Sequence, residues 1–477
     1  MPRRILLVNP NRMRPPVTPV GLDYIGQYLR EQGFEVELLD LAFSEDVASD
    51  VRSALAEEPL LVGVTVRNLD DCQFASRDFC LAETTAILNL IRNHTNAPVL
   101  LGGIGFSVMP VEVLRYTRRD MGVRGDGEAA LAEVGRRLDL AKDFRDVPGL
   151  VWRRWDEYIE SPMEDPDLAA FGSATRDLVD NARYLREGAQ VGFETKRGCH
   201  HLCTYCADPI AKGRRVRLRS PQAVADELES LLRQGVDVFH TCDAEFNVPP
   251  GHAKEVCRKI AERGLGKRIQ WYAYAEPSGF DGELARLMRR AGCVGINFGA
   301  DHSEEAMLKA LGRRHDKEDL RRVADLCRKH DIMLMVDLLL GGPGETPESV
   351  AAVLDYMREI EALRVGVGFG VRLYPGTKLV EQIRQNGGLK PENQSLHGVV
   401  EDNEGLLQPI FYVSESLGPD PETVLRDMIA GDERFFFADR SDHVENYNYN
   451  DNSVLCDAIR RGCRGAYWDI LRQLAEE

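Results

Sequence analysis

No stretch of this 477-residue chain stays apolar for anything near the roughly 20 residues that a bilayer-spanning helix requires. A secretory leader is missing too. The opening, Met1-Pro2-Arg3-Arg4 and then Ile5-Leu6-Leu7-Val8, has too short an apolar core and no small-residue cleavage site. That apolar run ends at Asn9-Pro10 and reads as a first β-strand. Basic charge is not in excess: 60 Lys and Arg against 77 Asp and Glu leave −17, interleaved along the chain. Such a surface repels phosphate backbones, so nucleic acid is not the expected partner. A local exception, Arg214-Arg215-Val216-Arg217-Leu218-Arg219, reads as a solvated face or a loop-to-helix junction. With no leader, eleven cysteines point to a reducing, cytoplasmic setting rather than to disulfides.

What is present is a repeated strand–helix pattern, too long for a single core. In residues 1–140, Ile5–Asn9, Val36–Asp40, Leu60–Thr65 and Pro98–Gly103 read as buried strands, with helices over 21–32 and 84–94. Continuous apolar strands separated by helices imply a doubly wound, Rossmann-like parallel sheet, which binds ligands beyond the carboxyl ends of its strands. Residues 141–190 read as a charged connection with a short hairpin around Leu150-Val151-Trp152. From 191 to 395 six further strands begin at Val191, Val236, Gln270, Gly295, Met333 and Val365, with helices over 221–234, 252–264, 283–291, 318–329 and 347–360. Six βα units fit a partial TIM-like barrel. Residues 396–477 turn aromatic and asparagine-rich and end in a helix predicted near 453–475.

Eight cysteines (72, 80, 242, 257, 293, 327, 456, 463) are scattered, whereas Cys199, Cys203 and Cys206 lie within eight residues. Their CxxxCxxC spacing follows the first barrel strand and predicts a loop, since a continuous helix would splay the three side chains. Converging thiolates suit an iron–sulfur cluster or zinc. Zinc would need a fourth ligand, which His200 or His201 offers. Three cysteines would instead leave one iron of a [4Fe–4S] cube open to a chelating substrate.

On these residues the chain resembles the radical S-adenosylmethionine superfamily. The resemblance implies a [4Fe–4S] cluster on Cys199, Cys203 and Cys206, and S-adenosylmethionine near Tyr205, the aromatic residue before the third cysteine. Where the family has a Gly-Gly-Glu-like stretch, this chain has Thr241-Cys242-Asp243-Ala244-Glu245. There Asp243 and Glu245 could meet the methionine ammonium, or one of them could cap the next helix. Leu338 to Thr346 resembles the glycine-rich strand end near the adenine, implicating Gly341 and Gly342. Its alternative is an ordinary βα turn with Thr346-Pro347 opening a helix.

The doubly wound domain ahead of the barrel resembles the cobalamin (B12)-binding subclass, and this likeness spans roughly residues 4–395. It includes Gly102-Gly103, Val123-Arg124-Gly125-Asp126-Gly127-Glu128 and Arg372 to Thr377. It implies cobalamin near Asn9, Arg67, Asn68, Gly102, Gly103, Gly125, Gly127 and Glu128. The Asp-x-His-x-x-Gly loop of many free-standing B12 domains has no counterpart after the first strand, which runs into Asn9-Pro10-Asn11. Val66 to Asp71 reads equally as a corrin- or substrate-facing run and as a helix-capping turn.

The resemblance implies electron entry at the cluster, cleavage of a carbon–sulfur bond of the sulfonium, and C-methylation of a small metabolite or natural-product intermediate. Alternatives within the same architecture are a rearrangement or transfer of the 3-amino-3-carboxypropyl group. A non-catalytic cluster sensor is the remaining class. The expected partners are a small-molecule substrate and an electron donor of flavodoxin or ferredoxin type. In the carboxyl-terminal region, Phe411-Tyr412 and Tyr447-Asn448-Tyr449-Asn450 offer either substrate contacts or lid packing. Cys456 and Cys463, about 10 Å apart along the predicted helix, read as structural thiols. His200 and His201 read as proton relays or as packed loop residues.

Overall fold

The computed structural model describes residues 4–168, 174–440 and 443–476; Met1 to Arg3 lie outside them. Five parallel strands, β1 (Arg4–Asn9), β2 (Glu35–Asp40), β3 (Leu61–Thr65), β4 (Val99–Gly102) and β5 (Met121–Val123), run in the order β2-β1-β3-β4-β5. Every residue of β1 is buried, because helices cover both faces of the sheet. The hairpin of β6 (Leu150–Arg154) and β7 (Glu157–Glu160) joins β5 antiparallel. The sheet therefore continues into the segment that reads as a connection.

The second sheet starts at β8 (Val191–Phe193). A small ribbon follows, β9 (Lys196–Arg197) against β10 (Arg217–Leu218). Then come β11 (Val238–Thr241), β12 (Gln270–Ala275), β13 (Cys293–Asp301), β14 (Met333–Leu340) and β15 (Arg364–Phe369). These six barrel strands and their intervening helices match the sequence pattern to within a few residues. Alternation decides what faces where. Phe239, Trp271 and Ala273 pack among the residues of the surrounding helices, while His240 and Tyr274 line an inner cavity. Thr346 caps the helix Pro347–Glu359 in a reciprocal box with Ser349, so the capping reading of that turn holds.

Beyond β15, a small antiparallel sheet forms from β16 (Val371–Arg372), β17 (Leu396–Gly398) and β18 (Ile410–Tyr412). Two features of the carboxyl-terminal region differ from expectation. Phe435–Phe437 is a seventh barrel strand, β19, parallel to β15 and buried throughout; three residues are too few to show a period. The single helix near 453–475 is two helices, Ser453–Arg460 and Tyr467–Ala475. Gly462 and Gly465 break it at φ 105° and 142°, so Cys456 and Cys463 do not share a helix.

An ionic network with no solvent access ties the two sheets together. Arg176 Nε donates to Asp23 on the helix Val20–Glu31 at 2.7 Å, and Arg176 Nη1 donates to Glu227 on the helix Pro221–Arg233 at 2.6 Å and to the Gly192 carbonyl of β8 at 3.0 Å. Arg219 also reaches Glu227, at 2.6 Å, and Arg217 pairs with Asp126. The basic run is thus half structural. Arg217 and Arg219 are buried, and only Arg214 and Arg215 are solvated.

Candidate functional site

The cysteine loop is held from both sides. Gly198 takes φ 91°, and a Cβ there would stand 2.1 Å from the Arg215 carbonyl oxygen, so only glycine allows the chain to pass. The Cys199 N–H donates to Gly213 O at 3.1 Å, and the Thr204 N–H to Leu311 O at 2.9 Å. Cys199, Cys203 and Cys206 are free thiols. Burial pushes all three up, Cys199 to about 11, and Cys203 adds to the shifts of Cys199 and Cys206 while Arg313 draws Cys203 itself down. Neighbouring buried thiols of this kind gain most from a cation that stabilises the thiolates. Among the described residues, no three His, Cys, Asp or Glu side chains converge tightly enough for one metal ion. A multi-iron cluster takes its thiolates further apart than a single ion does, so the loop remains compatible with one.

Beside the loop lies a polar set that the sequence reading missed. Arg313 Nη1 approaches Cys203 Sγ at 3.4 Å, and Nη2 donates to Glu276 Oε2 at 2.9 Å and to the Gly299 carbonyl. Its Nε stands 3.5 Å from Asp301 Oδ2, which accepts the Tyr205 hydroxyl at 2.6 Å. Although burial pushes Glu276 up, His315 and Arg313 hold it below the usual carboxylate range. Glu245 feels Arg313 too, but burial outweighs that pull. Burial pushes it to about 8, and its Oε2 is buried with no hydrogen-bond partner. An orphaned acceptor in this position fits a ligand that brings a cationic donor, as S-adenosylmethionine does.

The Asp243 carboxylate accepts the Thr195 N–H at 2.8 Å and the Thr195 hydroxyl at 2.6 Å, and Lys196 Nζ lies at 3.4 Å. These contacts hold the turn after β8. Gly341 and Gly342 sit buried at the end of β14, where Gly341 O accepts the Ser414 N–H at 2.9 Å. A Cβ on Gly342 would be 3.3 Å from Leu311, the residue that pins Thr204. His200 and His201 stack at 4.9 Å, with His200 exposed.

Between the carboxyl ends of the first sheet and the barrel interior lies a cavity of about 770 Å³. Asn9, Arg67, Asn68, Gly102, Gly103, Gly125, Gly127 and Glu128 all line it. Gly103 takes φ 93° with the Thr65 hydroxyl 2.5 Å from where a Cβ would stand. Glycines keep this wall flat and bare, as a broad planar ligand such as a corrin requires, so the cavity fits cobalamin. Glu128 does not project freely, because Arg197 Nη2 holds it at 2.7 Å. Arg67 extends into the cavity, where surrounding protein lowers its pKa. The run from Val66 divides its labour. Asp70 pairs with Arg372 at 2.8 Å, and Asp71 accepts the Gln73 and Asp78 N–H groups. These carboxylates brace a loop, and no helix starts until Leu81.

Residues 193–357 match the family model described as the radical SAM superfamily, and residues 11–135 that of the B12 binding domain. The tryptophan 2-C-methyltransferase of Streptomyces laurentii is 33% identical over 97% of this chain and 95% of its own. The structure of the radical S-adenosylmethionine methyltransferase TsrM from Kitasatospora setae with cobalamin and a [4Fe–4S] cluster bound superposes with TM-score 0.90 at 32% identity, covering 100% of this chain and 98% of that one. The same enzyme with tryptophan substrate and an S-adenosylmethionine analogue bound gives 0.92 at 32%, covering 99% and 98%.

Proposed function

The chain belongs to the radical S-adenosylmethionine superfamily, among its cobalamin-dependent methyltransferases, and from that premise we propose that it methylates a ring carbon of tryptophan or a close tryptophan analogue. The observation that carries the reading is the single cavity walled by both the glycine-rich strand ends and the barrel interior. One pocket of that kind lets a corrin and a small acceptor meet away from water. The identity to a tryptophan 2-C-methyltransferase over nearly the whole chain supports the choice of acceptor.

In this reading Cys199, Cys203 and Cys206 hold the [4Fe–4S] cluster. Glu245 receives the ammonium of S-adenosylmethionine, and Tyr205, Gly341 and Gly342 frame it. Asn9, Arg67, Asn68, Gly102, Gly103, Gly125, Gly127 and Glu128 face cobalamin. Residues 1–140 serve the corrin, 191–395 the cluster and the sulfonium, and 396–477 the acceptor, with 141–190 joining them. When bound, the cluster supplies single electrons and the corrin carries a methyl group from S-adenosylmethionine to the acceptor. Arg313 keeps a positive charge against the thiolates, and its contacts to Glu276 and Asp301 fix it there. Tyr274, Tyr447 and Tyr449 line the inner end of the cavity and crowd water out of it. An electron donor of flavodoxin or ferredoxin type completes the system.

Anaerobic reconstitution with iron, sulfide and cobalamin, followed by desalting, tests the cofactor assignment. Retained absorption from both cobalamin and an iron–sulfur cluster is expected. A protein that keeps its cluster but releases all cobalamin would remove the methyl carrier from the account.

A further inference from the structure

Inside the barrel, alternate positions of buried strands carry polar groups where hydrocarbon would be expected. Asn297 on β13 is 4% exposed and lies between Ile296 and Phe298, which are fully buried. Its amide nitrogen donates to Oδ2 of Asp337 on the adjacent strand β14 at 2.7 Å. The two remaining oxygens, Asn297 Oδ1 and Asp337 Oδ1, are buried and have no hydrogen-bond partner. Tyr447 is close enough to draw the Asp337 carboxyl down without closing a bond to Oδ1. Buried acceptors left unpaired are unfavourable, so the fold retains them at a price.

Space has been kept for this pair. Gly366 of β15 stands opposite Asp337 in register, and a Cβ there would fall 2.6 Å from Asp337 Oδ1 and 2.5 Å from the Tyr447 ring. Asn297, Tyr274, Tyr447 and Tyr449 all line the cavity. Tyr274 is 43% exposed and lines the cavity. The result is an aromatic chamber in which two buried acceptors stand among tyrosine hydroxyls, that of Tyr449 being buried without a partner as well. An ammonium group, with three donors, a positive charge and no acceptor, is its complement, and tyrosine faces add cation–π attraction.

We propose that Asp337 and Asn297 anchor a primary ammonium group of the methyl acceptor, so that the enzyme selects aromatic amines and amino acids over des-amino analogues. The proposal rests on the reading of this cavity as the acceptor site. Burial holds the empty Asp337 carboxyl at about 7, against the pull of Tyr447 and Asn297; a bound cation would bring it down.

Equilibrium dialysis of the cobalamin-loaded enzyme against tryptophan, tryptamine and indole-3-propionate tests the anchor, with Asp337→Asn and Asn297→Ala as variants and circular dichroism as the folding check. The wild type should bind the two amines at least tenfold more tightly than indole-3-propionate. Asp337→Asn should lose at least tenfold for the amines and nothing for the acid, and Asn297→Ala should follow it in milder form. Equal loss of all three ligands in folded variants, undiminished amine binding, or no amine binding by the wild type would each overturn the anchor. Tight amine binding without methylation of tryptophan would instead count against the tryptophan reading alone.

Discussion

Replacing Arg176 by Met should loosen the joint between the two sheets while keeping most of the side-chain volume. Arg176 is fully buried and pairs with Asp23 and Glu227, both also buried. Removing one member of a buried ion pair costs about 3–5 kcal/mol, because the partners stay behind uncompensated. Here the lower end applies. Glu227 keeps Arg219 at 2.6 Å and the Tyr24 hydroxyl at 2.7 Å, and Asp23 keeps the Leu178 N–H at 3.0 Å and the Asn181 amide at 2.9 Å. A loss of about 3 kcal/mol lowers the Tm of a cooperative unit of 477 residues by roughly 3 °C. The pH dependence has a definite sign. Burial pushes Glu227 up, but Arg219 and Arg176 outweigh it and hold the carboxyl below its ordinary 4.5. Its stabilisation is therefore complete above the ordinary value and is lost as pH falls through the depressed one; in the variant that loss should begin at higher pH. Urea titrations of the whole chain between pH 4 and 8, with cobalamin retention in parallel, measure both effects. A change below about 1 kcal/mol at pH 7, with cobalamin held as before, would refute the reasoning.

The cysteines and the inner carboxylate give two further expectations. Cys203→Ser should abolish the iron–sulfur absorption after reconstitution while leaving cobalamin binding in place, since the cysteine loop and the glycine wall belong to different sheets; simultaneous loss of both chromophores would contradict that separation. Asp337→Asn should stabilise the empty chain increasingly as pH rises from 5 to 8. With a folded value of about 7 against an ordinary 3.8, the wild type loses stability over that interval, by up to about 3 kcal/mol. Parallel melting curves for variant and wild type, with a difference that stays flat in pH, would show that Asp337 is not held as described.

The cluster loop and the parallel sheets were legible because each rests on a local signal, three cysteines at fixed spacing and apolar runs closed by turns. The cavity-lining glycines were legible through their position at strand ends, where a parallel sheet opens. Sequence shows that a carboxylate follows β11, but not that Asp243 there accepts the Thr195 and Lys196 amides. Glu276 comes from one βα unit and Asp301 and Arg313 from the next, and they meet only when the barrel curves. Asn297 had a readable trace: Gly295, Asn297, Gly299 and Asp301 alternate with buried Ile296, Phe298 and Ala300. Small and polar residues on one face of a buried strand mark a lined interior rather than a packed one.

The most direct measurement is mass spectrometry of the products from cobalamin- and cluster-loaded enzyme given S-adenosylmethionine and tryptophan deuterated at ring carbon 2, under reducing anaerobic conditions. The account predicts methyltryptophan that has lost the deuterium, with S-adenosylhomocysteine formed alongside it. Unmethylated tryptophan, with S-adenosylmethionine consumed to 5′-deoxyadenosine or methylthioadenosine, would contradict it.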